Sequence, residues 1–284
     1  MAALLIEQLI AEGKIDQTKG YGEYVPDFRG TAWENIPVVD IMNTASGLNV
    51  TEDDATRADP TSMAIRLFNS EFGIPDPITN KVETTREVLR AATRMIDPGQ
   101  RFEYSSIDAQ ALVILVKQVT NERMSDFLAE RVFASVPLDD AVQIHLSSAD
   151  RLEGGHGLVS SRLRDLVLFG MLYTPSWRRI SGSQVVSDAA LKRIQKDTPS
   201  HEVFISGNDG PRFSDALADY VVSNNRQWDD VFADGDFFKL GFMGQGIYVL
   251  PSRDLVIAYF STNPDTGPGQ RYMTPIAKSG LSDN

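Results

Sequence analysis

Residues 107–119, IDAQALVILVKQV, are apolar on nearly every face, so a helix formed there has no side suited to water and must be surrounded by other elements. Ser105 stands where such a helix would be capped, and Asp108, at the third helical position, can reach back to it. Tyr104 comes immediately before that start. A chain of 284 residues, 42% of them hydrophobic, can enclose this helix within one large domain or two intimately packed ones.

Composition excludes several classes of function. With 39 acidic against 27 basic residues, a formal charge of −12 and no Lys/Arg cluster to follow a phosphate backbone, nucleic acid is not an expected partner. No apolar run approaches the roughly 20 residues that span a bilayer, and the first residues lack the basic segment and cleavage site of a secretory leader. No membrane contact is expected, and the start reads as cytoplasmic as it stands. The absence of cysteine removes disulfides, thiolate nucleophiles and cysteine-bound zinc. His145, His156 and His201 match no metal-binding spacing, so no metal or other cofactor is expected. The nucleophile-elbow pattern G-x-S-x-G does not occur, and His156, set among glycines, reads as a loop residue.

The opening MAALLIEQLIAEGKID reads as a helix with Leu5, Leu9 and Ile10 on one face and Gly13 as its stop. It has no capping residue ahead of it, which leaves two readings open, a frayed terminus and a missing upstream segment. Further helices are expected at 38–43, 83–95 and 184–196, and after a Ser160 or Ser161 cap through Leu172. Residues 51–80 read as a long surface loop with a short helix around 63–68, lining a pocket. Trp33 and Trp228 read as core or pocket wall. Near the C-terminus the period changes: 246–250 and 255–260, joined by PSRD, read as an antiparallel hairpin. Helices in the middle with strands at the end indicate an α+β or α/β architecture with an inserted helical region.

Four blocks in order, VDIMNTASGL, PGQRFEYSSIDAQALV, GGHGLVSSRLRDLVLFGML and GFMGQGIYVLPSRDLVIAYFS, resemble the serine β-lactamase and penicillin-binding-protein-like superfamily. Within it the chain is most similar to class C-like hydrolases, the 6-aminohexanoate-dimer hydrolases and related esterases in particular. The resemblance implies an antiparallel sheet flanked by helices with a mostly helical insertion, here a helical part at about 25–200, a sheet part at about 201–262 and a tail at 263–284. It implies acyl transfer through the serine of an S-x-x-K motif, with the lysine and a Y-x-N or Y-x-S tyrosine sharing the proton work and a K-T-G-like edge-strand motif facing them.

Carried over by position, Tyr104 matches the tyrosine, Ser106 the third residue of its motif, and Gly244, Gln245 and Gly246 the edge-strand motif. Lys278 and Gly280 of AKSG form a weaker K-T-G-like match. Each has a plain structural alternative: packing for Tyr104, capping for Ser106, a strand-start bulge for Gly244 and Gly246. No serine in the sequence is followed three positions later by lysine, although Ser161 is followed at that spacing by Arg164. The resemblance puts that serine about five to eight residues ahead of Met1, and the family's early strands ahead of it again. The function expected is a serine hydrolase of a small ester or amide working through an acyl-enzyme, its nucleophile segment and hence its activity absent from this chain. The alternative is a non-catalytic binding module that keeps the pocket. A hairpin edge bearing Ile247, Tyr248, Val249, Ile257 and Tyr259 is expected to invite self-association.

Overall fold

The computed structural model describes residues 1–207, 221–262 and 267–279. Helix α1 (Ala2–Ala11) buries Leu4, Leu5, Ile6 and Leu9, receives no side-chain cap at Met1, and gives way to Gly13 at φ 69°. After short helices α2 (Tyr21–Tyr24) and α3 (Val38–Met42) come α4 (Asp54–Ala58), α5 (Met63–Phe72) and α6 (Thr85–Arg90). The segment 51–80 is therefore half helical. A reciprocal Asp53–Thr56 capping box starts α4, and Ser62 caps α5, which runs four residues past the expected end to a left-handed Gly73. The helix expected at 83–95 stops at Arg90, because Thr93 and Arg94 turn away to bond Asn49 and bridge Leu48.

Helix α7 (Ser106–Thr120) is the central element that its all-round apolarity predicts, with residues 107–116 all buried. Ser105 caps it by accepting from the Asp108 N–H at 3.2 Å. Helices α1, α2, α3 and α5 pack around it, and Tyr21 donates its hydroxyl to the Ala111 carbonyl at 2.9 Å. Trp33 is fully buried nearby and bonds the Leu89 carbonyl at 2.7 Å.

A short helix α8 (Met124–Leu128) leads to the two-residue strands β1 (Gln143–Ile144) and β2 (Val159–Ser160). Ser160 pairs there with Gln143, so helix α9 (Leu163–Met171) begins after Arg162 and not at a serine cap. Then follow α10 (Trp177–Ile180), α11 (Asp188–Lys196), which Ser187 caps four residues later than expected, and α12 (His201–Ile205).

The sheet is larger than the hairpin legible in the sequence. Strands β3 (Val221–Asn225), β4 (Trp228–Phe232), β5 (Phe237–Gly241), β6 (Gln245–Leu250) and β7 (Leu255–Tyr259) form an antiparallel meander in chain order. Strand β6 is interior, paired with β5 and β7, so Ile247, Tyr248 and Val249 are not on an open edge; Ile257 and Tyr259 of β7 are. Helix α9 packs on β6 and β7, and a C-terminal helix α13 (Gly267–Lys278) packs on β6. The expected tail is thus partly a docked helix, and its residues 263–266 and 280–284 lie outside the described residues. Lys278 holds α13 in place through an ion pair to Asp236 at 2.7 Å, a second to Asp234, and a position 4.7 Å over the Phe232 ring. That is a fastening for a helix, away from the cavity described below; Gly280 lies outside the described residues.

Candidate active site

A cavity of about 220 Å³ opens where the start of α1, the start of α7, the 155–157 loop and strands β3–β5 meet. Tyr104 lines it. Its neighbours fix the backbone there: the Phe102 N–H donates to Val203 and the Glu103 N–H to Thr44. Ser105 also lines the cavity, whereas Ser106 does not; its N–H donates to the Glu52 carboxylate, which satisfies one of the free donors at the helix start.

Lys239 of β5 comes to Tyr104 from the sheet, its Nζ 5.2 Å from the centre of the tyrosine ring. On the neighbouring strand, Asp229 accepts from Lys239 Nζ at 2.6 Å and from the Leu240 N–H at 2.8 Å, so one carboxylate fixes both the side chain and the strand beneath it. Burial pulls the ammonium down, but the charge of Asp229, with Tyr104 adding to it, outweighs burial and holds Lys239 above the usual lysine range. A fixed cation beside a phenol lowers the cost of forming the phenolate.

The cavity floor is a buried charge cluster. Glu7 of α1 accepts from Arg226 and, at 2.5 Å, from Arg193, and Arg226 also donates to Gln17 at 2.8 Å. Arg226 and Gln227 form the two-residue β3–β4 turn with φ of 51° and 68°, left-handed values normally left to Asn and Gly. Side-chain bonds offset that strain: Asn225 donates to the carbonyls of Arg193 and Ile194, and Gln227 to that of Met42. Trp228 lines the cavity just after the turn.

On the helical side, His156 donates Nε2 to the buried Glu71 carboxylate at 2.7 Å. Burial lowers its basicity, yet the hydrogen bond and charge of Glu71, with Glu52 behind it, more than offset that and leave the imidazole above its ordinary value.

The residues expected to face Tyr104 from the sheet are placed otherwise. Gly244, Gln245 and Gly246 do not line the cavity. Gln245 joins the start of β6 to the end of β7, accepting from the Ser261 N–H at 2.9 Å and donating to its carbonyl. Gly246 lies against Tyr259, whose ring carbon would come within 2.5 Å of an added Cβ. Gly244 adopts φ 77° in the β5–β6 connection. The lysine that the structure does bring to Tyr104 begins K-L-G at 239–241, a K-T-G-like triplet that becomes readable once FFKLG is known to be a strand. Among the described residues, no group of His, Asp and Glu is arranged to hold a metal, and no helix is long and apolar enough to cross a membrane.

A meander sheet with helices packed on it, a buried helix starting behind a tyrosine, and a cavity between the sheet and the helices define the fold of the β-lactamases and penicillin-binding proteins. The chain belongs to the Beta-lactamase family, whose model matches residues 1–281. A 6-aminohexanoate-dimer hydrolase from Paenarthrobacter ureafaciens is 24% identical over 290 residues, covering 100% of this chain and 68% of its own length. Among solved structures, a putative 6-aminohexanoate-dimer hydrolase from Bacillus anthracis superposes with a TM-score of 0.77 at 16% identity, over 99% of this chain and 69% of that one. A penicillin-binding-protein homologue from Caulobacter crescentus does so with 0.69 at 15% identity, over 99% and 81%.

Proposed function

We propose that this chain forms the acyl-transfer pocket of a serine hydrolase that cleaves a small ester or amide through an acyl-enzyme. The observation that carries this reading is the meeting of Tyr104 and the Asp229-held Lys239 in one cavity with the first turn of α1. Tyr104 takes the proton from a serine hydroxyl as its oxygen attacks the substrate carbonyl, then gives that proton to the departing alcohol or amine; water later releases the acyl group by the same route. The ammonium of Lys239 stays charged throughout and stabilises the phenolate that Tyr104 must be before it takes the proton and becomes again once it has given it up. Ser106 is assigned to support at the helix start, and Gly244, Gln245 and Gly246 to shaping the strand pair beside the site. The catalytic unit comprises the helical part at about 25–200 and the sheet part at about 201–262.

No S-x-x-K serine occurs in residues 1–284, and the reading places the nucleophile ahead of α1, whose first residues Met1, Ala2 and Ala3 already line the cavity. Fluorophosphonate labelling with peptide mapping tests this. The 284-residue chain is expected to remain unlabelled and to show no turnover of p-nitrophenyl esters, and the chain produced with its upstream coding sequence to be labelled at one serine ahead of α1. Labelling at a serine within 1–284, or none in either form, overturns the proposal; the latter outcome favours a binding module.

A further inference from the structure

The imidazole of His156 lines the cavity and has no part in acyl transfer as described above. It is built in with care. Gly155, next to it, has no room for a side chain, since an added Cβ would come within 2.3 Å of Val113 and 2.8 Å of the Ala109 carbonyl, so the loop backbone lies directly on α7. The buried amide of Gln110 clasps the loop from both sides, accepting from the Gly155 N–H at 2.8 Å and donating to the Glu153 carbonyl at 2.7 Å. Glu71, the partner of His156, is itself buried, and its backbone carbonyl accepts from the Ser148 N–H at 2.8 Å.

Nε2 of His156 is taken by Glu71, while among the described residues no hydrogen bond engages Nδ1, and the side chain, which lines the cavity, keeps 19% of its surface exposed. Lys239 and Arg226, the other cationic side chains on that lining, are tied to Asp229 and to Glu7, and burial, with Lys239 nearby, pulls the Met1 amino group down to about 6. The charged and titratable groups around His156 are Glu71 from α5, Glu52 from the segment before α4, and, on the same lining, Tyr104, Lys239, Asp229, Glu7, Arg226 and the Met1 amino group. Ala109, against which the loop rests, is four residues beyond Ser105, about 6 Å along the helix axis from the end that carries Tyr104.

We infer that His156 is a positioning residue for a carboxylate on the substrate, donating to it through Nδ1 while Glu71 holds Nε2. This rests on the proposed hydrolase reading and narrows it to esters or amides that bear an acid group a few bonds from the carbonyl under attack. A charge-assisted bond of this kind confers about a tenfold preference or more. The preference is complete when the imidazole is charged, and it disappears as the pH rises through its elevated titration point.

Binding of glutarate monoethyl ester and of ethyl pentanoate, matched in length and differing in charge, is measured on the full 284-residue chain by calorimetry between pH 6 and 9. The acid ester is expected to bind about tenfold more tightly at pH 6, the margin shrinking toward unity at pH 9. His156→Asn removes the margin at every pH, and Glu71→Gln moves its loss to lower pH. Equal affinities at pH 6, a margin that survives His156→Asn, or failure of both esters to bind at millimolar concentration overturns the inference. The readout is binding, so a chain that selects the acid ester but never transfers an acyl group in any form would sink the hydrolase reading and leave His156 in its role.

Discussion

Tyr104 and Asp108 lie one turn apart at the head of α7 and make opposite demands on their surroundings. Tyr104 half faces the cavity, and the proposal asks its hydroxyl to move a proton in a form of the protein that carries the nucleophile. Tyr104→Phe keeps the ring over Lys239 and removes the carrier, so the turnover of a p-nitrophenyl ester should fall by roughly 10²-fold or more while the melting temperature holds. An unchanged rate would return Tyr104 to packing. Asp108 is buried, and burial pushes its carboxyl up to about 8. Because that folded value exceeds the ordinary 3.8, the fold accommodates the protonated form; the stability contribution is fully present below about pH 4 and is lost as pH rises through 8. Asp108→Asn stays neutral, so the melting temperature of the variant should gain on that of the parent between pH 5 and 8 and level off above that. A gap independent of pH would contradict this account.

Elements whose signals are local were legible before the structure. Helix α1 has its Gly13 stop, α7 its unbroken apolar face and Ser105 cap, and β6–β7 a run of β-branched and aromatic residues around PSRD. Strands β3 and β4 gave no such signal. VVSNN and WDDVF carry Asn, Ser and Asp, residues disfavoured in strands, and those side chains are buried here because Asn224, Asn225 and Asp229 serve as struts to Asn43, Ile194 and Lys239. With β3–β5 giving no local signal, Lys239 is not legible either; the sheet brings it to Tyr104, while Gly244, Gln245 and Gly246 lie off the cavity lining. The pairs Glu71–His156 and Glu7–Arg226 are separated by 85 and 219 residues, and no local pattern in one sequence joins them. The β6–β7 ladder offers its own test. Gly246→Ala forces a methyl against the Tyr259 ring and should cost about 1–3 kcal/mol in urea unfolding, with Tyr259→Leu restoring much of the loss. A neutral Gly246→Ala would show that Tyr259 swings aside freely.

At the scale of the molecule, the sheet has two edges, and β7 carries Ile257 and Tyr259 only half-buried, with Phe260 beyond them. A charge of −12 opposes association, but an edge whose backbone groups find no strand partner among the described residues favours it at close range. Light scattering on the 284-residue chain should therefore show concentration-dependent association, diminished when upstream sequence is added; a monomer at every concentration would mean that the edge is adequately guarded. The Glu7–Arg226 pair has a consequence in time. Helix α1 leaves the ribosome with a carboxylate destined for burial 219 residues ahead of the guanidinium that neutralises it, a wait of roughly 10 to 40 s at ordinary rates of synthesis. Until the β3–β4 turn emerges, α1 can bury Leu5 and Ile6 only by dragging an unpaired charge with them, so the nascent helix is held open to solvent, and to any chaperone that binds apolar helices, until that turn is made.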